Sequence, residues 1–344
     1  MSGTSLDGLD LALCTFQKNQ KWEYEITHAR TIAYAEVWTS RLRRMHLLPG
    51  DELIREHFAY GELIGQEAKK FLEQSGKTVD FIASHGHTIF HQPAMGFTFQ
   101  AGAGTAIAAA SGLPVIYDFR SADVALGGQG APLVPIGDRL LFPEYDFCLN
   151  LGGIANISFE LNGERKAFDI GPCNLLLNEL ASRAGMTFDD GGQLAATGQC
   201  NEQLLLRLNQ LPYYSLEGPK SLGREDIERD FLPLLEKSER AEDLLATCAI
   251  HLVQKIKDAT TFKAKEKACR MLVTGGGAWN CHLVETIASH TGLSIDTASP
   301  ELINFKEALI FAFLGVLRWQ GEINVLSSVT GASKNHCAGN IVLP

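Results

Sequence analysis

LNLGGIANISFEL, residues 149–161, decides the fold. An apolar run ends at Gly152-Gly153, and the run after it alternates apolar and polar residues. That is the pattern of a strand, a glycine corner and a second strand. The same plan opens the chain, where GTSLDG (3–8) is a glycine-bounded turn leading into LDLALCTF (9–16). Two glycine-cornered hairpins, each opening its own α/β half, predict a duplicated domain whose two turns grip the phosphates of one nucleotide. Two unrelated hairpins would carry the same signature.

Working outward, β-rich runs predict strands at 10–16, 80–84, 114–118, 146–151, 156–161 and 271–274. Helical periodicity predicts helices at 51–74, 173–184, 241–258, 280–291 and 306–319. Such mixing predicts an α/β architecture with sheets covered by helices. The chain has 344 residues, 45% hydrophobic and 20% charged, which suits two domains better than one core. A formal net charge of −10 argues against nucleic acid and anionic membrane surfaces. It leaves room for a nucleotide site, where backbone N–H groups and Mg²⁺ dominate locally. The eight cysteines include no CxxC pair and no zinc or disulfide spacing. With no signal-peptide pattern and no run of ~18 apolar residues, the expectation is a cytoplasmic protein with reduced thiols.

Three more stretches carry chemistry. In MSGTSLDGLD (1–10), Gly3 and Gly8 allow close backbone approach, Thr4 and Ser5 offer hydroxyls to phosphate oxygens, and Asp7 or Asp10 could orient hydrated Mg²⁺. No GxxxxGK[ST] pattern is present, and an ordinary Ser/Thr/Asp/Gly turn uses the same residues. In MLVTGGGAWNCHL (271–283), Gly275, Gly276 and Gly277 let an adenine or ribose lie on bare backbone before a helix starting near Asn280. In AFDIGPCNLLLNELA (167–181), Asp169 ends a strand and is either a general base or a structural cap.

DFIASHGHTIFHQP (80–93) places His85, His87 and His91 beyond a strand. A metal-dependent hydrolase could use such a cluster, but it would need further ligands, and hydrogen bonding to a polar ligand or the backbone is the simpler use. DFRSADVALGGQGAPLVP (118–135) combines Asp118, Arg120 and Asp123 with a glycine-rich loop, suited to a polyhydroxylated ligand or to a hinge.

Eight stretches in order resemble the anhydro-N-acetylmuramic acid kinase family: MSGTSLDGLD, SHGHTIFH, DFRSADVALGGQGAPLVP, NLGGIAN, FDIGPCN, PKSLGRE, VTGGGAWN and SSVTGA. The resemblance spans essentially the whole chain. It implies the two-domain actin-like/hexokinase (ribonuclease H-like) fold, with duplicated mixed sheets and a nucleotide cleft between the halves. The first domain would comprise 1–118 with 322–344, and the second 119–321. It implies a first phosphate loop at Gly3, Thr4, Ser5, Leu6, Asp7, Gly8, Leu9 and Asp10. Asn150, Gly152, Gly153 and Asn156 would form the second, and Gly275, Gly276, Gly277 and Asn280 would hold adenosine. Asp169 would be the catalytic base, and Thr88, His91, Arg120, Asn174, Lys220 and Arg224 would contact the sugar. ATP and Mg²⁺ would be required, and a homodimer is implied.

The chain departs from the family pattern at His87, Ile170, Cys173 and Leu222, where members carry Gln, Thr, Gly and Thr. Two lost hydroxyls and a filled glycine position predict a reshaped sugar pocket. Members also carry a short strand ahead of the MSGTSLDG stretch, so either an upstream start or a looser hold on the nucleotide is expected. A kinase for another sugar and a chaperone-like ATPase remain the alternatives.

Overall fold

The computed structural model describes residues 1–3, 6, 8–216, 220–236, 239–263 and 269–344. Thr4, Ser5 and Asp7 of the expected first phosphate loop lie outside the described residues. The chain forms two compact units, Met1–Phe142 with Phe305–Pro344, and Pro143–Asn304. The expected boundaries at 118 and 321 therefore differ from the contact division. The Val134–Leu141 helix and most of the Pro300–Trp319 helix belong with the first unit.

In the first unit, β1 (Gly8–Lys18) and β2 (Trp22–Ala33) form an antiparallel hairpin with Leu9 opposite Ile32. β3 (Ile82–Ser84), β4 (His87–Gln92), β5 (Phe97–Ala101), β6 (Val115–Tyr117) and, far along the chain, β12 (Asn340–Val342) complete its strands. β12, β6 and β3 form one sheet, and β4 with β5 a separate hairpin. The Gly50–Ser75 helix begins with Asp51 and Glu52, which favour the positive end of its dipole, and stops at Gly76, whose φ of 64° only glycine adopts cheaply. It packs on the Gly104–Ser111 helix through Gly61 and Gly65. A Cβ at either would come within 2.7 Å of backbone oxygen, at Ala103 and Ile107 respectively.

The second unit is built on one five-stranded sheet in the order β11-β10-β7-β8-β9. Its strands are β7 (Phe147–Leu151), β8 (Ile154–Leu161), β9 (Glu164–Pro172), β10 (Arg270–Thr274) and β11 (Ser294–Thr297). β7, β8 and β9 form an antiparallel meander, and β10 joins β7 in parallel. The unit thus mixes a local hairpin with crossovers through helices. Phe147, Leu149 and Leu151 are fully buried beside Met271 and Val273 and face the helix Ala241–Thr260, which supplies Leu244, Val253 and Ile256. This mixed α/β layering agrees with the sequence-based expectation.

Leu149 sits at the centre of that core. Leu149→Ala removes about three buried carbons' packing and should cost about 2–5 kcal/mol. A urea titration should show a lower midpoint at unchanged slope; a midpoint equal to that of the parent would show that the cavity is not formed.

Candidate functional site

In the second unit, three chain segments meet at one end of the sheet. β7 ends in the Gly152-Gly153 corner, β10 ends in the Gly275–Gly277 turn, and β9 ends at Pro172 before the Asn174–Arg183 helix. The turns touch backbone to backbone. A Cβ on Gly275 would lie 2.6 Å from Asn150 Oδ1 and 2.8 Å from the Leu151 carbonyl oxygen. Gly275 has φ 80°, so both its conformation and its surroundings exclude a side chain. Gly276, by contrast, is exposed, and only Asn174 Nδ2 comes within 4 Å of a Cβ built there. That gives a bare, accessible stretch of backbone against which a flat ring could lie.

Asn174 joins the three segments. Its Nδ2 donates to Leu151 O (3.0 Å), its backbone N donates to Gly152 O (3.1 Å), and its Oδ1 lies 3.6 Å from the Cys173 thiol. Both ends of the side-chain amide are thus engaged with protein, which gives Asn174 a bracing role at these turns. Asn280 is similar. Its Oδ1 caps the Cys281–Thr291 helix by accepting from Leu283 N at 2.9 Å, so that oxygen positions the helix.

Asp169 lies on β9 opposite Asn156, across a bulge at Ala155/Asn156. Its Oδ2 accepts from Leu222 N (2.9 Å) and its backbone N donates to Lys220 O (3.0 Å). Burial raises its pKa from 3.8 to about 6, and the Leu222 N–H offsets this only in part. No cation is paired with it in the described hydrogen bonds, so its charge is held by one amide. A carboxylate poised near neutral pH is the equipment of a general base. Lys220 turns its Nζ to Tyr213 O (3.3 Å) and over the Tyr213 ring (4.7 Å). Its pKa is lowered by burial and by Lys255. Arg224 is exposed and paired with Glu228 (2.9 Å).

The departures at Ile170, Cys173 and Leu222 fall on side chains that pack into the second unit. All three side chains are buried, at 3%, 0% and 9% exposure, within the apolar core of the second unit. The β9 bulge breaks the two-residue alternation next to Asp169, so motif spacing alone could not tell which neighbours face inward.

The first unit holds the other expected residues. Arg120 donates through Nε to His85 Nε2 (2.9 Å) and through Nη1 to Gly130 O (2.7 Å). His85 Nε2 is therefore the acceptor, and its Nδ1–H donates to Gly86 O at 3.0 Å. Both ring nitrogens are occupied, which is incompatible with the metal-ligand reading of His85. Among the described residues no group of three His, Cys, Asp or Glu side chains could hold a metal. Burial and the neighbouring Arg120 hold His85 well below the usual histidine range. Burial also brings Arg120 down to about 10, against the opposing pull of Glu307 and Asp123. His91 Nδ1 lies 3.1 Å from Thr98 Oγ1, and Thr88 Oγ1 accepts from Gln100 Nε2 at 3.4 Å.

Of the expected first phosphate loop, Leu6 has φ 60°, Asp10 Oδ1 accepts from Thr31 Oγ1 (2.6 Å), and Leu9 is a core side chain at 3% exposure. Leu9 can therefore offer a ligand backbone only. Spacing gave no hint of the chain His87 Nδ1–Ser2 Oγ (3.1 Å), Tyr34 Oη–Ser2 Oγ (2.8 Å) and Tyr34 Oη–Tyr60 Oη (2.6 Å), which fixes Ser2 beside the loop. Its members are far apart in sequence, and only His87 stood out.

Bare-backbone turns at the end of a mixed sheet, with a half-buried carboxylate of raised pKa on one of its strands, suit a group-transfer α/β enzyme that handles phosphoryl groups by positioning and electrostatics. The chain belongs to the anhydro-N-acetylmuramic acid kinase family, whose profile matches residues 1–344. It is 35% identical over 380 aligned positions to the anhydro-N-acetylmuramic acid kinase of Methylobacterium nodulans, covering 100% of this chain and 98% of that one. The Acinetobacter baylyi enzyme of the same name is 34% identical over 375 positions, covering 99% and 97%. Among solved structures, the activator of 2-hydroxyisocaproyl-CoA dehydratase from Clostridium difficile, with bound ADPNP, is 13% identical with a TM-score of 0.41, covering 90% and 97%.

The Asp169 carboxylate carries a signed stability consequence. Its folded pKa of about 6 exceeds the unfolded 3.8, so the ionised group costs stability above about pH 6, and the cost fades as pH falls to 3.8. Asp169→Asn should therefore stabilise the protein by on the order of 2 kcal/mol at about pH 8 and negligibly at about pH 4. Chemical denaturation at both pH values checks this, and a pH-independent difference would contradict it.

Proposed function

We propose that this chain phosphorylates 1,6-anhydro-N-acetylmuramic acid with ATP while opening its anhydro bridge, a step in murein recycling. Asp169 carries the reading. It is a half-buried carboxylate with pKa near 6, held by one amide, on the strand whose end meets the turns of bare backbone. In the proposed reaction Asp169 takes a proton from water as the hydroxyl bonds to the anomeric carbon. The bond from that carbon to the bridging oxygen breaks, and that oxygen, on carbon six, bonds to the γ-phosphorus of ATP. The β–γ bridging oxygen leaves with ADP, and the product is N-acetylmuramic acid 6-phosphate. Asp169 releases its proton to solvent to complete the cycle.

The exposed Gly276 backbone would carry adenosine, with the Gly152-Gly153 corner offering N–H groups to phosphate. Asn150 and Asn156 would line that corner, while Asn174 and Asn280 hold the turns in shape. Arg120, Thr88 and His91 of the first unit and Lys220 of the second are the side chains that would contact the sugar. Mg²⁺, when bound with the triphosphate, supplies charge neutralisation at the phosphoryl oxygens. Its fit here is to ATP rather than to a protein ligand set, since the described residues offer no such cluster. The family relation also supports a homodimer working in the cytoplasm, and no helix among the described residues is long and apolar enough to cross a membrane.

ADP release from Mg·ATP, measured with and without the anhydro sugar, tests the reading. Sugar-dependent release with the 6-phosphate as product supports it. Stimulation only by a different sugar would move the assignment to another sugar kinase, and sugar-independent hydrolysis to a chaperone-like ATPase. Asp169→Asn should lose ~10²–10⁴-fold in kcat while still binding ATP; near-normal turnover would sink the role of Asp169.

A second check is the pH profile. The base must be ionised, so kcat/KM for the sugar should fall tenfold per pH unit below about 6, the pKa of Asp169. An acid limb that sets in only near pH 4 would mean that the working carboxylate is a different, solvated one.

A further inference from the structure

Asp169 sits where β9 breaks its regular pairing. The β8–β9 register slips at Ala155/Asn156, so Asn156 faces Asp169 while Ala155 faces Gly171. Among the described residues β9 is the last strand of its sheet, so one side of it has no strand neighbour. The Asp169 N–H points to that side and donates to Lys220 O (3.0 Å). A strand residue's C=O projects to the same side as its N–H. There Tyr213 Oη donates to Asp169 O (2.5 Å), supplying the partner that no strand provides.

Lys220 closes a circuit. Its Nζ donates to Tyr213 O (3.3 Å) and lies 4.7 Å from the centre of the Tyr213 ring. Bonds therefore run from Tyr213 to Asp169, from Asp169 to Lys220, and from Lys220 back to Tyr213. Two residues beyond Lys220, Leu222 N donates to the Asp169 carboxylate (2.9 Å). The amide that holds the carboxylate is thus carried on a segment pinned by that circuit.

Tyr213 is built for this place. Pro212 starts the short 3₁₀ turn Pro212–Ser215 that carries it, and its ring is part of the apolar core at 8% exposure. Burial, then Asp169 and Asp226, hold its phenol well above the usual tyrosine range, so it stays a donor. A neutral hydroxyl fixes the main chain without placing a charge beside the carboxylate. Tyr214, next in the chain, differs. Its Oη is buried with no hydrogen-bond partner and presses on the same strand at Gly171, where a Cβ would lie 2.9 Å from it.

We propose that Tyr213 is a positioning residue for the reaction: its hydroxyl holds the Asp169 main chain at the bulge, which keeps the carboxylate on Leu222 N and aimed at the attacking water. The proposal rests on the reading of Asp169 as the base. Without the hydroxyl, the Asp169 carbonyl is an acceptor with no donor on its side, a costly state inside a protein. Its peptide turns toward water, the carboxylate leaves Leu222 N–H, and the ionised form loses its one stabilising bond.

Tyr213→Phe keeps the ring in the core and removes only the hydroxyl. In sugar-dependent ADP release, kcat should fall ~10-fold or more while KM for ATP is unchanged. The acid limb of kcat/KM should move about one pH unit above its parent position near 6. Tyr213→4-aminophenylalanine returns a donor to the same place and should bring the limb back, which separates the lost bond from lost packing. Tyr214→Phe removes a hydroxyl that bonds nothing and should leave kcat and the limb alone. A limb that stays in place or moves down in Tyr213→Phe would overturn the proposal, as would failure of the amino group to restore it.

A second readout needs no turnover. The stability gained through Asp169→Asn, measured against pH by chemical denaturation, reports the Asp169 pKa in either background. With Tyr213→Phe its plateau should begin about one pH unit higher than with Tyr213. An unmoved plateau refutes the hold on Asp169 even where the reaction is as proposed. A moved plateau supports that hold, while normal turnover by Asp169→Asn alone would count against the base and not against the bond to Tyr213.

Discussion

The bond from Asn174 Nδ2 to the carbonyl of Leu151 is the contact on which the second unit's site depends. It ties the start of one helix to the end of the central strand, at the point where that strand must turn. With Asn174 N on Gly152 O, and Gly275 pressed against the Leu151 backbone, it locks three turns into one surface. Turns of this kind expose backbone N–H groups, which would otherwise seek water or drift apart. Bracing them through a short, neutral amide leaves their donors aimed outward without adding charge. A carboxylate doing the same bracing would repel phosphate, and an ammonium would compete with it.

Against that neutral surface, the placement of Asp169 makes sense as a compromise between charge and burial. A carboxylate with several N–H donors would sit below its ordinary pKa and be a poor base. One with no donor, wholly buried, would stay protonated near neutral pH. Asp169 accepts one amide, from Leu222, and burial does the rest. The loop carrying Leu222 is anchored in turn, since Leu222 is itself a core side chain and Lys220 O accepts from Asp169 N. The apolar residue at that position therefore helps hold the donor in place, whatever hydroxyl is lost with it.

Much of the fold was legible in the sequence because its strongest signals are local. The Gly152-Gly153 corner, the GGG turn and the long periodic helices depend on residues within one or two turns of each other. β2 escaped because WEYEITHARTIA carries charges along both faces, and its burial string is mostly half-buried or exposed. β4 and β5 escaped because a histidine-rich run looks like a ligand cluster before it looks like a strand. Site residues were legible as segments but less so as roles. Asn174 and Asn280 stood at the right corners, yet their amides serve the backbone. Ile170, Cys173 and Leu222 looked like pocket residues, yet all three side chains pack in the core, and for Ile170 the β8–β9 bulge hides that from strand parity. Such facts depend on strand parity and tertiary contacts, which no motif records.

The two units reach polar recognition by different means, and the difference bears on what each can bind. The second offers mostly main chain, with glycine corners, helix starts and one carboxylate. Main-chain donors are rigid and indifferent to side-chain identity, which suits phosphate and a flat ring. The first offers side chains held by one another: Arg120 by His85 and Gly130, and Ser2 by His87, Tyr34 and Tyr60. A ligand with many hydroxyls in a fixed stereochemistry needs donors and acceptors set at particular angles, and interlocked side chains can be tuned one at a time to provide them. Because His85 is neutral and its tautomer is set by Arg120, that guanidinium keeps its full charge while one edge is spent on protein. Its remaining N–H groups give the first unit a fixed cationic fork suited to an anionic ligand group. N-acetylmuramic acid carries such a group, the carboxylate of its lactyl ether. In the proposed reaction Arg120 would be the group to meet that carboxylate.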